Sequence, residues 1–179
     1  MSGNLFARSV HDLSAAAWFG GSLMGAVGLN GAASHAKEAA ERTRLSSLGW
    51  KMWAPVQTGA FVAHLASLGP ILWENKGRYA AQDGVMSATW VKTGVTLAGA
   101  AVTLYAAVLG KKVDKLANEG AMGATEPGPQ SSEELAKAQK QLRQLQWAIP
   151  GFAATVIVLG AKHGEMQRPT NVKQGLLKH

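Results

Sequence analysis

The chain contains no cysteine at all, and that absence removes several chemistries together. Disulfides, thiolate nucleophiles, cysteine-based zinc sites and thioether-linked haem all need a residue that is not there. Acidic residues are also scarce, at 11 against 18 Lys and Arg. None of the 11 falls inside a long apolar stretch, so a proton- or ion-coupled carrier built on buried carboxylates has no ligands to use. No glycine-rich loop ends in Gly-Lys-Ser or Gly-Lys-Thr, and neither HExxH nor Gly-x-Ser-x-Gly occurs, which removes the common phosphate-binding, zinc-hydrolase and serine-hydrolase signatures. These absences point away from an enzyme.

What the chain does have is segregation. Hydrophobic residues make up 47% and charged residues 16%, yet the mean hydropathy is zero, so strongly apolar runs must alternate with strongly polar ones. Leu13 to Ser34 is 22 residues without an ionisable side chain, and Met52 to Trp73 is another 22 broken only by His64. Crossing about 30 Å of hydrocarbon at 1.5 Å per residue takes roughly 20 residues. Ser87–Gly110, with Lys92 near its start, and Gln144–Ala161 complete a set of four. The fold expected is all-α: one integral membrane four-helix bundle over residues 1–169, with spans at about 10–34, 52–73, 87–110 and 144–162. The first span is longer than the apolar part of a cleaved leader and is expected to be retained. Trp50, Trp53, Trp73, Trp90 and Trp147 lie near span ends, as in an interfacial aromatic belt, while Trp18 lies within a span.

The spans are rich in Ala, Gly, Ser and Thr. Gly21 and Gly25 are spaced as small-xxx-small, Gly94 is matched to Ala98, and Gly20 stands beside Gly21, so these five are the candidate helix-packing positions. Pro70 and Pro150 fall inside spans, where each removes an amide donor. Between the third and fourth spans, residues 118–130 read as a flexible, Gly- and Pro-bearing linker. Ser131 and Glu134 have capping-box spacing and open an amphipathic helix over 131–143 that continues into the fourth span. Residues 170–179 read as a polar, extended tail.

The net charge of +7 is spread over short connectors and not gathered on one face with interleaved aromatics, so anionic lipid headgroups are expected as partners and nucleic acid is not. Ten Lys and Arg fall on the side of the first and third connectors and eight on the side of the termini. The excess favours cytoplasmic connectors and outside termini in a multi-pass cell-membrane protein.

Histidine is the residue a membrane bundle uses for haem iron, copper or proton transfer. Tracing the spans places His11, Lys92 and His163 near one face, His35 near the other, and His64 as an ionisable group mid-span. The run His11–Gly21, HDLSAAAWFGG, has the form H-x6-W-x-G-G and resembles the first helix of the copper resistance protein D family. It is also similar to the opening of the membrane-bound, haem-binding protoporphyrinogen oxidase family. WVKTGVTLAGA at Trp90–Ala100 and LRQL at Leu142–Leu145 are weaker likenesses to the same families. The resemblance implies that His11 is an axial ligand of a b-type haem with Lys92 an accompanying polar residue. His163 is then the histidine placed to supply a second ligand. Composition and motif absence favour a different reading, with no cofactor: a non-catalytic accessory or assembly subunit that packs against a larger membrane protein complex.

Overall fold

A computed structural model describes residues 4–176 of the chain. Among the described residues it is all-helical, and the only extended pairing is an isolated bridge between Ala121 and Pro127. Helix α1 (Leu5–Met24) passes through a π turn (Gly25–Leu29) into the short α2 (Asn30–Ser34). Helix α3 (Ala39–Ala81), α4 (Val85–Lys115) and α5 (Glu133–Glu165) are long, and α6 (Pro169–Leu176) closes the described chain. Helices α4 and α5 are long and apolar enough to cross a membrane. Helix α3 overruns the expected 52–73 by more than three turns on its N-terminal side, and its apolar stretch is itself interrupted by Gln57, His64 and Pro70.

Local chemistry accounts for the boundaries. Asn4 caps α1, its Oδ1 accepting from the Ala7 amide at 3.3 Å. Gly84 adopts φ 77°, a left-handed conformation that lets the chain reverse in the three residues between α3 and α4. The helix continues through Pro55 and Pro70 in α3 and Pro150 in α5, each leaving the carbonyl four residues earlier without its usual amide.

The four long helices pack in a ring: α1 lies on α3 and α5, and α4 lies on α5 and α3. At the centre Trp18 (3% exposed) packs with Ala15, Ile149, Ala153 and Val156, its ring 4.8 Å from that of Phe61. Its indole N–H donates to Thr103 Oγ1 at 3.3 Å. A second cluster, Leu109, Val113, Leu135 and Ala138, joins the end of α4 to the start of α5.

The packing glycines divide differently from the expectation. Gly21 and Gly25 do face α3, but what fills their space is the indole rings of Trp53 and Trp50. Gly20, Gly94 and Ala98 are exposed, with open space beside both glycines. Adjacent helical residues point about 100° apart, so Gly20 cannot share the face of Gly21. On α4 the inward position is Gly99, where a side chain would meet Trp18 and Phe152.

Three connector expectations are also corrected. Residues 118–130 are not a flexible linker: Ala121 N–H donates to Ala39 O at 3.3 Å, and the Gln139 amide donates to the carbonyls of Gly123 and Ala124 at 3.0 and 3.2 Å. Ala117, Ala121 and Ala124 are small enough to bury against the helices. The cap of α5 is Ser132, accepting from Leu135 N–H, while Ser131 Oγ donates to Gly120 O. The tail from residue 170 is helical through Leu176, because Pro169 opens a turn and the Asp83 amide donates to Gly175 O at 3.3 Å. Residues 177–179 of that tail lie outside the described residues.

Candidate functional site

Four helices contribute to one polar cluster inside the ring. His11 comes from α1, His64 and Ser67 from successive turns of α3, and Lys92 from α4, while Gly160 and His163 lie three apart on α5. His11, His64 and Ser67 are buried, at 5%, 4% and 5% exposure.

The bonds fix the protons. Lys92 Nζ lies 2.9 Å from His11 Nε2, and an ammonium can only donate, so Nε2 is the unprotonated ring nitrogen. His11 Nδ1–H then donates to Ser67 Oγ at 3.1 Å and faces His64 O at 3.4 Å. The Ser67 hydroxyl donates to His64 O at 2.7 Å. In return His64 Nδ1–H donates to His11 O at 3.1 Å. The two rings stack with centroids 3.8 Å apart and planes inclined by 22°. The result is a reciprocal exchange: each histidine directs its Nδ1 at the other's backbone carbonyl, joining α1 to α3, and Lys92 ties α4 to the pair.

This geometry bears on the haem expectation. Axial ligation needs a free imidazole lone pair, and that of His11 is taken by Lys92. One face of the His11 ring is covered by His64 at stacking distance, which leaves no slot for a porphyrin between them. A b-type haem therefore does not fit on His11 in this arrangement. Among the described residues no group of three or more His, Cys, Asp or Glu side chains is placed to hold a metal ion. The histidine brought to His11 is His64, expected mid-span, and His163 has no hydrogen bond to either. The signal for His64 lies in the sequence: His11 is 24 residues before His35, and His64 is 25 after Ala39, so an antiparallel hairpin turning at 35–39 sets them level.

Below the cluster, Arg78 on α3 donates to Asn75 Oδ1, Gln82 Oε1 and Met166 O at 2.9 to 3.0 Å. Burial, with Arg8 close by, pushes its guanidinium below its ordinary pKa. At the opposite end a second polar centre forms around Asn30, 8% exposed, which sequence reasoning missed. Its Oδ1 accepts from Ser46 Oγ at 2.8 Å and Trp50 Nε1 at 3.0 Å, and its Nδ2 donates to Gln146 Oε1 at 3.0 Å. The π turn just before it sets the direction in which Asn30 points.

No family model, curated protein or solved structure matches the chain.

Proposed function

We propose that the chain is a non-catalytic accessory or assembly subunit, integral to the cell membrane, in which α1, α3, α4 and α5 all cross the bilayer. The observation that carries the reading is a ring whose outside is apolar while polar groups are buried inside it. Leu104, Val158, Val62 and Leu97 are 69%, 66%, 63% and 60% exposed on the outside of the ring, whereas His11, Ser22, His64, Ser67 and Thr96 are buried within it. Water rejects that arrangement and hydrocarbon favours it, since polar groups without water must satisfy one another. Trp73, Trp90 and Trp147 are exposed near the ends of their spans, where an indole suits the headgroup level.

The accessory role is supported by what the interior and exterior each offer. The buried histidine bonds are spent on holding helices together, which suits structure better than turnover. The outward faces carry Gly20, Gly94 and Gly164 with nothing beside them, positions at which a neighbouring subunit's helix can approach closely. Lys111, Lys115, Lys137 and Lys140 are exposed at the connector end and suit anionic headgroups on the cytoplasmic side.

Extraction of the native membrane in a gentle detergent, followed by identification of co-purifying chains and an absorption spectrum, tests the proposal. A stoichiometric integral membrane partner is expected. A monodisperse, monomeric and thermally robust chain with no partner would refute the accessory role. A full-occupancy Soret band abolished by His11→Ala would replace it with haem binding.

A further inference from the structure

Where α6 returns to the end of the bundle, it walls a cavity of about 230 Å³. The Asp83 amide, in the turn between α3 and α4, donates to Gly175 O at 3.3 Å, and an added Cβ at Gly175 would stand 2.8 Å from Gln82 Cγ. On the α5 side, Gln82 Nε2 donates to Met166 O at 2.9 Å, and Asn171 Nδ2 donates to Glu165 O at 2.9 Å. The three segments around the cavity are thus bonded to one another. Two opposite charges line it without partners of their own: Asp83 and Lys162 are both exposed, and among the described residues neither takes part in an ion pair. The third charge in the lining, Glu165, is held by Arg168 Nε at 2.9 Å, so the lining is electrically balanced. The exposed Gln174 amide adds a donor and an acceptor.

A purely anionic ligand here would meet the Asp83 carboxylate, and a purely cationic one the Lys162 ammonium, whereas a zwitterion satisfies both. No aromatic ring lines the cavity, so a trimethylammonium group has no π face to rest on, while a primary ammonium can donate to carboxylate and amide oxygens. The volume is that of several water molecules, room for a headgroup-sized ligand. We infer that this cavity binds a small zwitterion joining a primary ammonium to a phosphodiester, the chemistry of an ethanolamine phosphate headgroup, supplied by a membrane lipid or free in solution. Asp83 receives the ammonium and Lys162 the phosphate. The site stands apart from the accessory role, and only its lipid source depends on the membrane reading.

The test uses the full chain purified in a neutral detergent. Its thermal midpoint is followed while short-chain phosphatidylethanolamine, phosphatidylcholine or phosphatidylglycerol is added at equal mole fraction, and separately while water-soluble glycerophosphoethanolamine or glycerophosphocholine is added. A saturable rise with phosphatidylethanolamine alone among the lipids identifies a membrane source, and one with glycerophosphoethanolamine but not glycerophosphocholine identifies a free one. Both charges are partly solvated, so Asp83→Asn and Lys162→Gln should each weaken the apparent affinity about five-fold. Lys173→Gln, on α6 but outside the lining, should leave it unchanged. The Asp83 and Lys162 side chains are exposed and make no ion pair among the described residues, so both variants should fold. The inference is overturned by the absence of a saturable rise with either ethanolamine ligand, by an equal response to the choline or glycerol counterpart, or by Asp83→Asn and Lys162→Gln proteins that respond like the unmodified chain.

Discussion

At the scale of single residues, Gly99 shows how little room the centre of the ring leaves. The methyl group of Gly99→Ala would stand 2.5 Å from the Trp18 ring and 2.8 Å from Phe152 Cβ, neither of which can retreat from the centre of the ring. Overpacking of this kind costs about 1–3 kcal/mol, and unfolding titrations in mixed micelles should register it. Gly94→Ala, on the same helix with open space beside it, should be neutral or stabilising by up to about 1 kcal/mol. Equal losses from the two would show that α4 is turned otherwise. The small-residue pattern disclosed that such stripes exist but not which way they face, because a repeat every four residues fixes a line along the helix and says nothing of its direction. His64 was legible in principle, through its distance from the hairpin turn. Its pairing with His11 follows from α3 beginning at Ala39, thirteen residues before the Met52 at which the apolar stretch opens.

Among the elements, the π turn in the first helical segment has the clearest consequence. One residue deleted from Gly25–Leu29, for instance Val27, turns everything beyond it by about 100° relative to α1. Asn30 would then leave Ser46, Trp50 and Gln146 without their shared partner. Deletion of Val27 and Asn30→Leu should therefore have similar effects, each destabilising by about 3 kcal/mol and each shifting the Trp50 emission. A deletion harmless where Asn30→Leu is costly would show that the turn does not orient the side chain. Nothing in the composition of Gly25–Leu29 distinguishes a π turn from an α-helix, which is why this centre escaped notice. The connector at 118–130 misled for a related reason. Its glycines and prolines signal a non-helical path, and such a path is pinned or free according to carbonyl partners such as Gln139 that lie far along the chain.

For the molecule as a whole, the helical class followed from segregation of apolar and polar residues. Hydropathy marks α4 and α5 as long and apolar enough to cross a membrane and does not mark α1 or α3. The lack of native cysteine makes the four-span proposal directly testable. Single cysteines at the exposed positions Gly77, Thr170 and Lys115 should react with an impermeant thiol reagent from two different sides, Gly77 and Thr170 together and Lys115 opposite. Labelling of Gly77 and Lys115 from one side would defeat the proposal.

The exchange between His11 and His64 also bears on how such a protein is made. Two weakly apolar helices emerging one after the other from a ribosome would each bring an imidazole to the lipid, and neither has the hydropathy to stay there alone. Paired as a hairpin, each ring turns its Nδ1 proton to the other's carbonyl, and Ser67 takes up a share of the same bonds. On the four-span proposal, the partnership that holds the finished ring together is thus also what permits α1 and α3 to enter the bilayer, as one unit and not in succession.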